Sequence, residues 1–244
     1  MPAIFETGHA KNVANFEEII SFATSFGAKY NPSKPLLKLP NLITLHTAAQ
    51  TDIINCTSLT VSFNNFTNAR AILFNPIRPL ATRLIQALSA TDASAEVIKD
   101  SKTVNRKIQG KRAKSIQVPL DPNAPAPNNI STSQQSYDQL IEHFTKLIEI
   151  LKAEPSYSPN EIELKITTLT AQLAALKIAN TNVTDAYTAV ANARIARNIT
   201  LYKENTGLYD IAADVKNYVK SLYGISSPEY KELSKIKFTK PITA

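Results

Sequence analysis

The stretch SPNEIELKITTLTAQLAALKIANTNVTDAYTAVANARIARNITLY, Ser158 to Tyr202, decides the fold class. No Gly or Pro interrupts it after Pro159, and Gly207 follows soon after its end. Ile162, Ile166, Leu169, Leu173, Leu176, Val183, Val190 and Leu201 recur in steps built from fours and threes. That is the spacing at which one face of an α-helix meets its neighbours. The pattern predicts one helix over the whole stretch, roughly 65 Å long at 1.5 Å per residue. Its Thr, Asn and Ala confer modest helix propensity for so long a run, so partner helices must stabilise it. The expected fold class is all-α, an elongated helical bundle.

The same text occurs earlier in the chain. The offset that carries Tyr30 onto Tyr157 also pairs Pro32 with Pro159, Leu37 with Leu164, Leu42 with Leu169, Asn55 with Asn182, Arg70 with Arg197 and Ile72 with Ile199. With small shifts, Phe16–Ile20 matches Tyr137–Ile141, Leu80, Leu84 and Leu88 match Ile211, Val215 and Val219, and Ser94 matches Ser227. An ungapped match of this length reads as a duplication. It predicts two tandem three-helix repeats, each with one very long helix and a short basic helical tail. The division is 1–109, a Pro-rich linker 110–133, and 134–244.

Local signals place the elements. A first helix is expected from about Asn12 to Phe26, stopped by Gly27, and a second from about Pro40 to Phe74. Asn75 and Pro76 have the order of an N-cap and a first helical residue, and Ser226–Glu229 has capping-box spacing. Pro119, Pro122, Pro125 and Pro127 mark the linker as extended.

Composition narrows the function classes. The 244 residues include 43% hydrophobic and 19% charged residues, with a net charge of +7. Charged residues fall below the roughly 25% of an average domain, and neutral polar residues replace them, which suits contact between copies. The excess positive charge keeps nucleic acid or another anionic surface open as a partner. Cys56 is the only cysteine, so no intramolecular disulfide forms, and a small hydrophobe is its expected role. Met1–Val13 lacks the apolar core of a signal peptide, and no window resembles a transmembrane span. A cytoplasmic location is expected, with export by another route as the alternative.

Chemistry has few footholds. His9, His46 and His143 lie in separate segments without ligand spacing, and read as isolated surface or half-buried side chains. Glu161 and Glu163 are expected in the first turn of the long helix, where they complement its dipole. There is no Gly-rich phosphate loop and no nucleophile beside a base. No enzyme activity, cofactor or metal is expected.

Two polar sets stand out. Arg70 and Arg197 lie on the apolar seam of their helices, with Asn55 and Asn182 one residue away. They are candidates for a buried polar lock that fixes register between long helices, with an anion-binding groove as the competing reading. Lys99, Lys102, Arg106, Lys107, Lys111, Arg112 and Lys114 cluster at the end of the first repeat. Lys231, Lys235, Lys237 and Lys240 do so at the end of the second. Such density attracts phosphate, although no aromatics interleave the first cluster for base stacking.

The run Asn192–Asn198, continued by Leu201–Gly207, resembles a motif of an uncharacterised all-helical tandem-repeat family of Bacteroidota. Arg106–Arg112 and Ser136–Asp138 extend the resemblance. It implies a bacterial origin and brings no activity, cofactor or site. The expectation is a non-catalytic structural or protein-interaction module, self-assembling through long helical faces. Nucleic-acid binding by the basic tails is the alternative. A weaker one is rearrangement at membranes by the amphipathic helix Tyr137–Leu151.

Overall fold

The computed structural model describes residues 6–111 and 135–241. They are all-helical: α1 (Glu6–Ser25), α2 (Leu39–Phe74), α3 (Ile77–Ser89), α4 (Ala95–Ile108), α5 (Tyr137–Ala153), α6 (Ile166–Tyr202), α7 (Leu208–Tyr223) and α8 (Pro228–Lys235). Short 3-10 turns at Pro35–Leu37 and Ile162–Leu164 precede the two long helices. The Pro-rich linker, with Arg112 and Lys114, lies outside the described residues.

The long helix starts later than its apolar period suggests, at Ile166 rather than Ser158. The Tyr157 hydroxyl donates to the Leu164 carbonyl at 3.0 Å, which folds the chain into a turn where the seam would otherwise continue. Its 37 residues therefore run about 55 Å. Glu161 and Glu163 precede the helix and do not sit in its first turn. Tyr30 donates to Leu37 at 2.9 Å in the same way before α2.

Other boundaries also move. The first helix already begins at Glu6. Pro76, not Asn75, precedes α3, and no side chain caps that helix. The cap of α8 is Ser227, whose hydroxyl accepts the Tyr230 N–H, so Ser226 and Glu229 form no box. Ser94 caps α4 in the same manner through the Val97 N–H. Gly224 closes α7 with φ +89°, a conformation that costs a residue with a Cβ.

The chain forms two compact units, and each draws on both sequence halves. The first contains the described residues up to Phe63 and those from Ala186 onward; the second is Asn64–Asp185. Neither coincides with the division at 1–109 and 134–244. In the first unit, Phe16 and Ile19 of α1 share a core with Leu208, Ile211 and Val215 of α7 and Leu233 of α8. In the second, Phe144 and Leu147 of α5 pack with Leu84 and Leu88 of α3 and Ile108 of α4.

In the first unit the long helices run antiparallel: Thr200 donates to Asp52 at 2.6 Å and the Phe63 and Tyr187 rings lie 6.0 Å apart, so residue numbers rise on α2 as they fall on α6. In the second unit Arg70 of α2 donates to Asn180 of α6 at 2.9 Å. The apolar face of α5, including Leu140, Phe144, Leu147 and Leu151, lies in the second core.

Candidate functional site

The seam arginines have different surroundings. In the second unit the Arg70 guanidinium lies 4.0 Å above the Tyr137 ring. Its Nη1 reaches Asn180 Oδ1, and Asn180 Nδ2 donates to Asp138 Oδ1 at 2.6 Å. This series joins α2, α6 and α5, while the Arg70 Nε is buried without a partner. Stacking on an aromatic face and a planar fork of donors are what distinguish Arg from Lys at such a place.

Arg197, in the first unit, is only 2% exposed. It donates to Asn198 Oδ1 through Nε at 3.3 Å and Nη2 at 3.1 Å. Nearby, Tyr202 Oη contacts His9 Nδ1 at 2.7 Å and accepts from Asn12 Nδ2 at 3.1 Å. Burial pushes the Tyr202 phenol up, while the Asn12 hydrogen bond and the Arg197 charge pull it down. The protein thus holds a neutral phenol between a buried histidine and a buried cation.

The expected asparagine locks are not where the seam placed them. Asn55 is exposed and Asn182 half-buried. Asn180 is the amide that meets Arg70 on α6. One residue off an apolar seam, an asparagine can turn either way, and neighbouring packing decides. His9 and His143 are also buried rather than on the surface. Burial and the Lys107 charge both lower the His143 pKa. His46 is half-buried, with Nε2 4.0 Å from Glu17 Oε2. Cys56 is buried in the position matched by Val183.

The basic candidates separate. Lys99, Lys102 and Arg106 follow i, i+3, i+7 spacing on α4 and line one open depression of about 730 Å³ with Ile98 and Thr103. Lys107 and Lys111 are exposed but do not line that depression. Near α8, Lys235 pairs with Glu232 at 2.6 Å, and Lys237 Nζ donates to the Ser234 carbonyl at 3.1 Å. Both line a depression with Lys11, Glu18 and Glu232, whose carboxylates offset the local charge.

Sequence reasoning missed Asn12, Asn180 and Tyr202. Asn12 is nearly fully buried; a buried Asn within a helical apolar pattern is the signal that could have marked it. Among the described residues no group of three His, Cys, Asp or Glu side chains comes together to hold a metal, and no helix is long and apolar enough to cross a membrane. No protein-family profile, curated protein or solved structure matches this chain.

Proposed function

We propose that the protein is a non-catalytic structural or protein-interaction module that associates with copies of itself through its long helices. The observation that carries this reading lies on α2 within the first unit. Ile43, Thr47, Gln50, Ile54, Thr57 and Val61 follow steps of four and three, as a buried seam does, yet all are exposed. Ile54 is 68% exposed and Ile43 51%. None is charged, so two such stripes meet without stranding an ion, and an identical stripe is a self-complementary partner. The only acid of α2, Asp52, is engaged by Thr200. On α6, Thr188, Asn192, Ile195 and Ile199 of the same unit continue this uncharged, exposed character.

The duplicated architecture belongs to the same proposal. Its support is the paired Tyr30–Leu37 and Tyr157–Leu164 bonds, and the matching Ser94 and Ser227 caps. A second reading, anion or nucleic-acid binding, is favoured by the stripe of Lys99, Lys102 and Arg106.

Sedimentation against protein concentration tests the assembly. The +7 charge opposes self-contact, so association should strengthen from low to physiological salt, whereas nucleic-acid binding should weaken. Ile54→Lys should abolish association and leave thermal unfolding unchanged. A monomer at every concentration and salt would remove the reading.

A further inference from the structure

Tyr218 on α7 sets its ring edge-on to Tyr30, with centroids 5.3 Å apart and planes at 87°. Its hydroxyl oxygen accepts the Asn31 N–H at 3.2 Å. The corresponding position in the second unit follows from the buried faces of α3 and α7. Ile77, Leu80, Ala81, Leu84 and Leu88 match Leu208, Ile211, Ala212, Val215 and Val219 at one constant offset. By that offset the partner of Tyr218 is Ala87.

The remainder of the place is kept. Tyr157 stands where Tyr30 does, equally buried and bonded to its own leucine carbonyl. Ser158–Pro159 stands for Asn31–Pro32. The ring alone is missing, since the methyl of Ala87 is too short to reach Ser158. An open depression of about 530 Å³ lies there, lined by Ala87, Tyr157, Ser158, Pro159, Glu161 and Arg83, among others. Pro32 is buried and Pro159 only half-buried, as the loss of a covering ring would produce.

We propose that this depression is a binding site for a para-substituted phenol, for which Tyr218 in the first unit is a built-in counterpart. The bound ring lies edge-on to Tyr157, and its oxygen accepts from the Ser158 N–H. Aromatic rings favour that edge-on arrangement, and the volume falls in the range of small-ligand sites. Arg83 and Glu163, 2.6 Å apart, form a polar rim beside it. The site is independent of self-association.

The test uses p-cresol, the tyrosine side chain as a free molecule, titrated into the full chain and followed by amide and methyl NMR. Saturable shifts are expected at Ala87, Ser158 and Leu164, with a dissociation constant on the order of millimolar for so small a ligand. Toluene, which lacks the oxygen, should bind about fivefold more weakly. Ala87→Tyr places the ring in the depression from within, so it should abolish those shifts and raise the melting temperature. Absence of saturable shifts in the unaltered protein overturns the proposal, as does equal binding of p-cresol by Ala87→Tyr. Should that variant not fold, Ala87→Leu decides: unchanged p-cresol affinity with part of the depression filled is equally fatal. Equal affinity for toluene would reject the phenol assignment.

Discussion

Lys34 Nζ lies 2.5 Å from Asp214 Oδ2, and in the other unit a pair at a neighbouring loop position, Glu163 with Arg83, has its charges reversed. Asp214 corresponds to Arg83 by the offset that aligns α7 with α3, and Arg83 pairs with Glu163 from the loop that matches the one carrying Lys34. If each sequence half packed only on itself, Lys34 would face Arg83 and Glu163 would face Asp214. Both alternatives oppose like charges. The signs therefore favour the exchanged partners found in the two units, although solvent screens such half-exposed pairs.

A charge-reversal series measures that preference. Asp214→Lys should destabilise the protein by up to about 1 kcal/mol, the upper range for a surface pair. Adding Lys34→Glu should restore most of the loss, and high salt should shrink both effects. Additive losses in the double variant, read by urea unfolding, would show that the pair contributes nothing specific.

The two buried tyrosines predict alkaline sensitivity. Burial is the main reason the Tyr157 phenol is pushed up to about 12, with the Glu161 charge adding to it. Burial also raises Tyr30, and Tyr218 adds to that shift. An acid whose folded pKa lies above its unfolded value of about 10 favours folding in its neutral form. That stability is complete below about pH 10 and is lost as pH rises through the folded value. Tyr157→Phe should lower stability at neutral pH by about 1–3 kcal/mol, because the buried Leu164 carbonyl loses its donor. The same variant should unfold less steeply between pH 10 and 12 than the unaltered chain. Urea midpoints across that range check both effects; a parallel pH profile would contradict the assignment.

What the sequence disclosed was local in origin. The helical period of α2 and α6 survives any tertiary arrangement, so the class was legible. The start of α6 was not, because Ile162 keeps the period while the Tyr157 hydroxyl, bonded to the Leu164 carbonyl, turns the chain. Under the proposed duplication Phe16 aligns with Phe144 as well as with Tyr137, one heptad apart, since buried Phe16, Ile19 and Ala23 then fall on buried Phe144, Leu147 and Leu151. A heptad returns nearly the same face, so pattern alone could not choose. An apolar stripe also announces burial without naming the partner, which is why the exchange between halves stayed hidden. The basic cluster was legible as a cluster, but the depression that Lys99, Lys102 and Arg106 line without Lys107 and Lys111 emerges only from the fold.

The segment after α8 supplies the last prediction. Residues Ile236 to Pro241 are not helical, and side-chain amides of α1 hold their backbone. Asn12 donates to the Thr239 carbonyl at 2.7 Å and accepts the Thr239 N–H at 3.0 Å, while Asn15 donates to the Lys237 carbonyl at 2.6 Å. Lys216 of α7 donates to the Ile236 carbonyl, and its ammonium lies 5.2 Å from the Phe238 ring centre. In this way amides one helical turn apart satisfy alternate residues of a non-helical segment, whose backbone has no helical bonds of its own. Ile236 is buried and Phe238 half-buried, so the side chains anchor what the amides align. On α5 the equivalents of Asn12 and Asn15, by the correspondence of Phe16 with Phe144, are Leu140 and His143, and there the matching chain is the longer helix α4. Asn12→Leu should therefore release the segment without removing the core that α1 shares with α7. The expected cost is about 1–3 kcal/mol, because a buried Asn that bonds both Thr239 groups and Tyr202 is lost. Asn15→Ala, at a more accessible position, should cost less than about 1 kcal/mol. Hydrogen exchange gives the sharper readout: protection of the Thr239 amide should fall to the level of a solvent-exposed chain in Asn12→Leu, while Phe16 and Ile211 amides keep theirs. Full protection of Thr239 in that variant would show that apolar anchoring alone holds the segment, and that the asparagine amides do not position it.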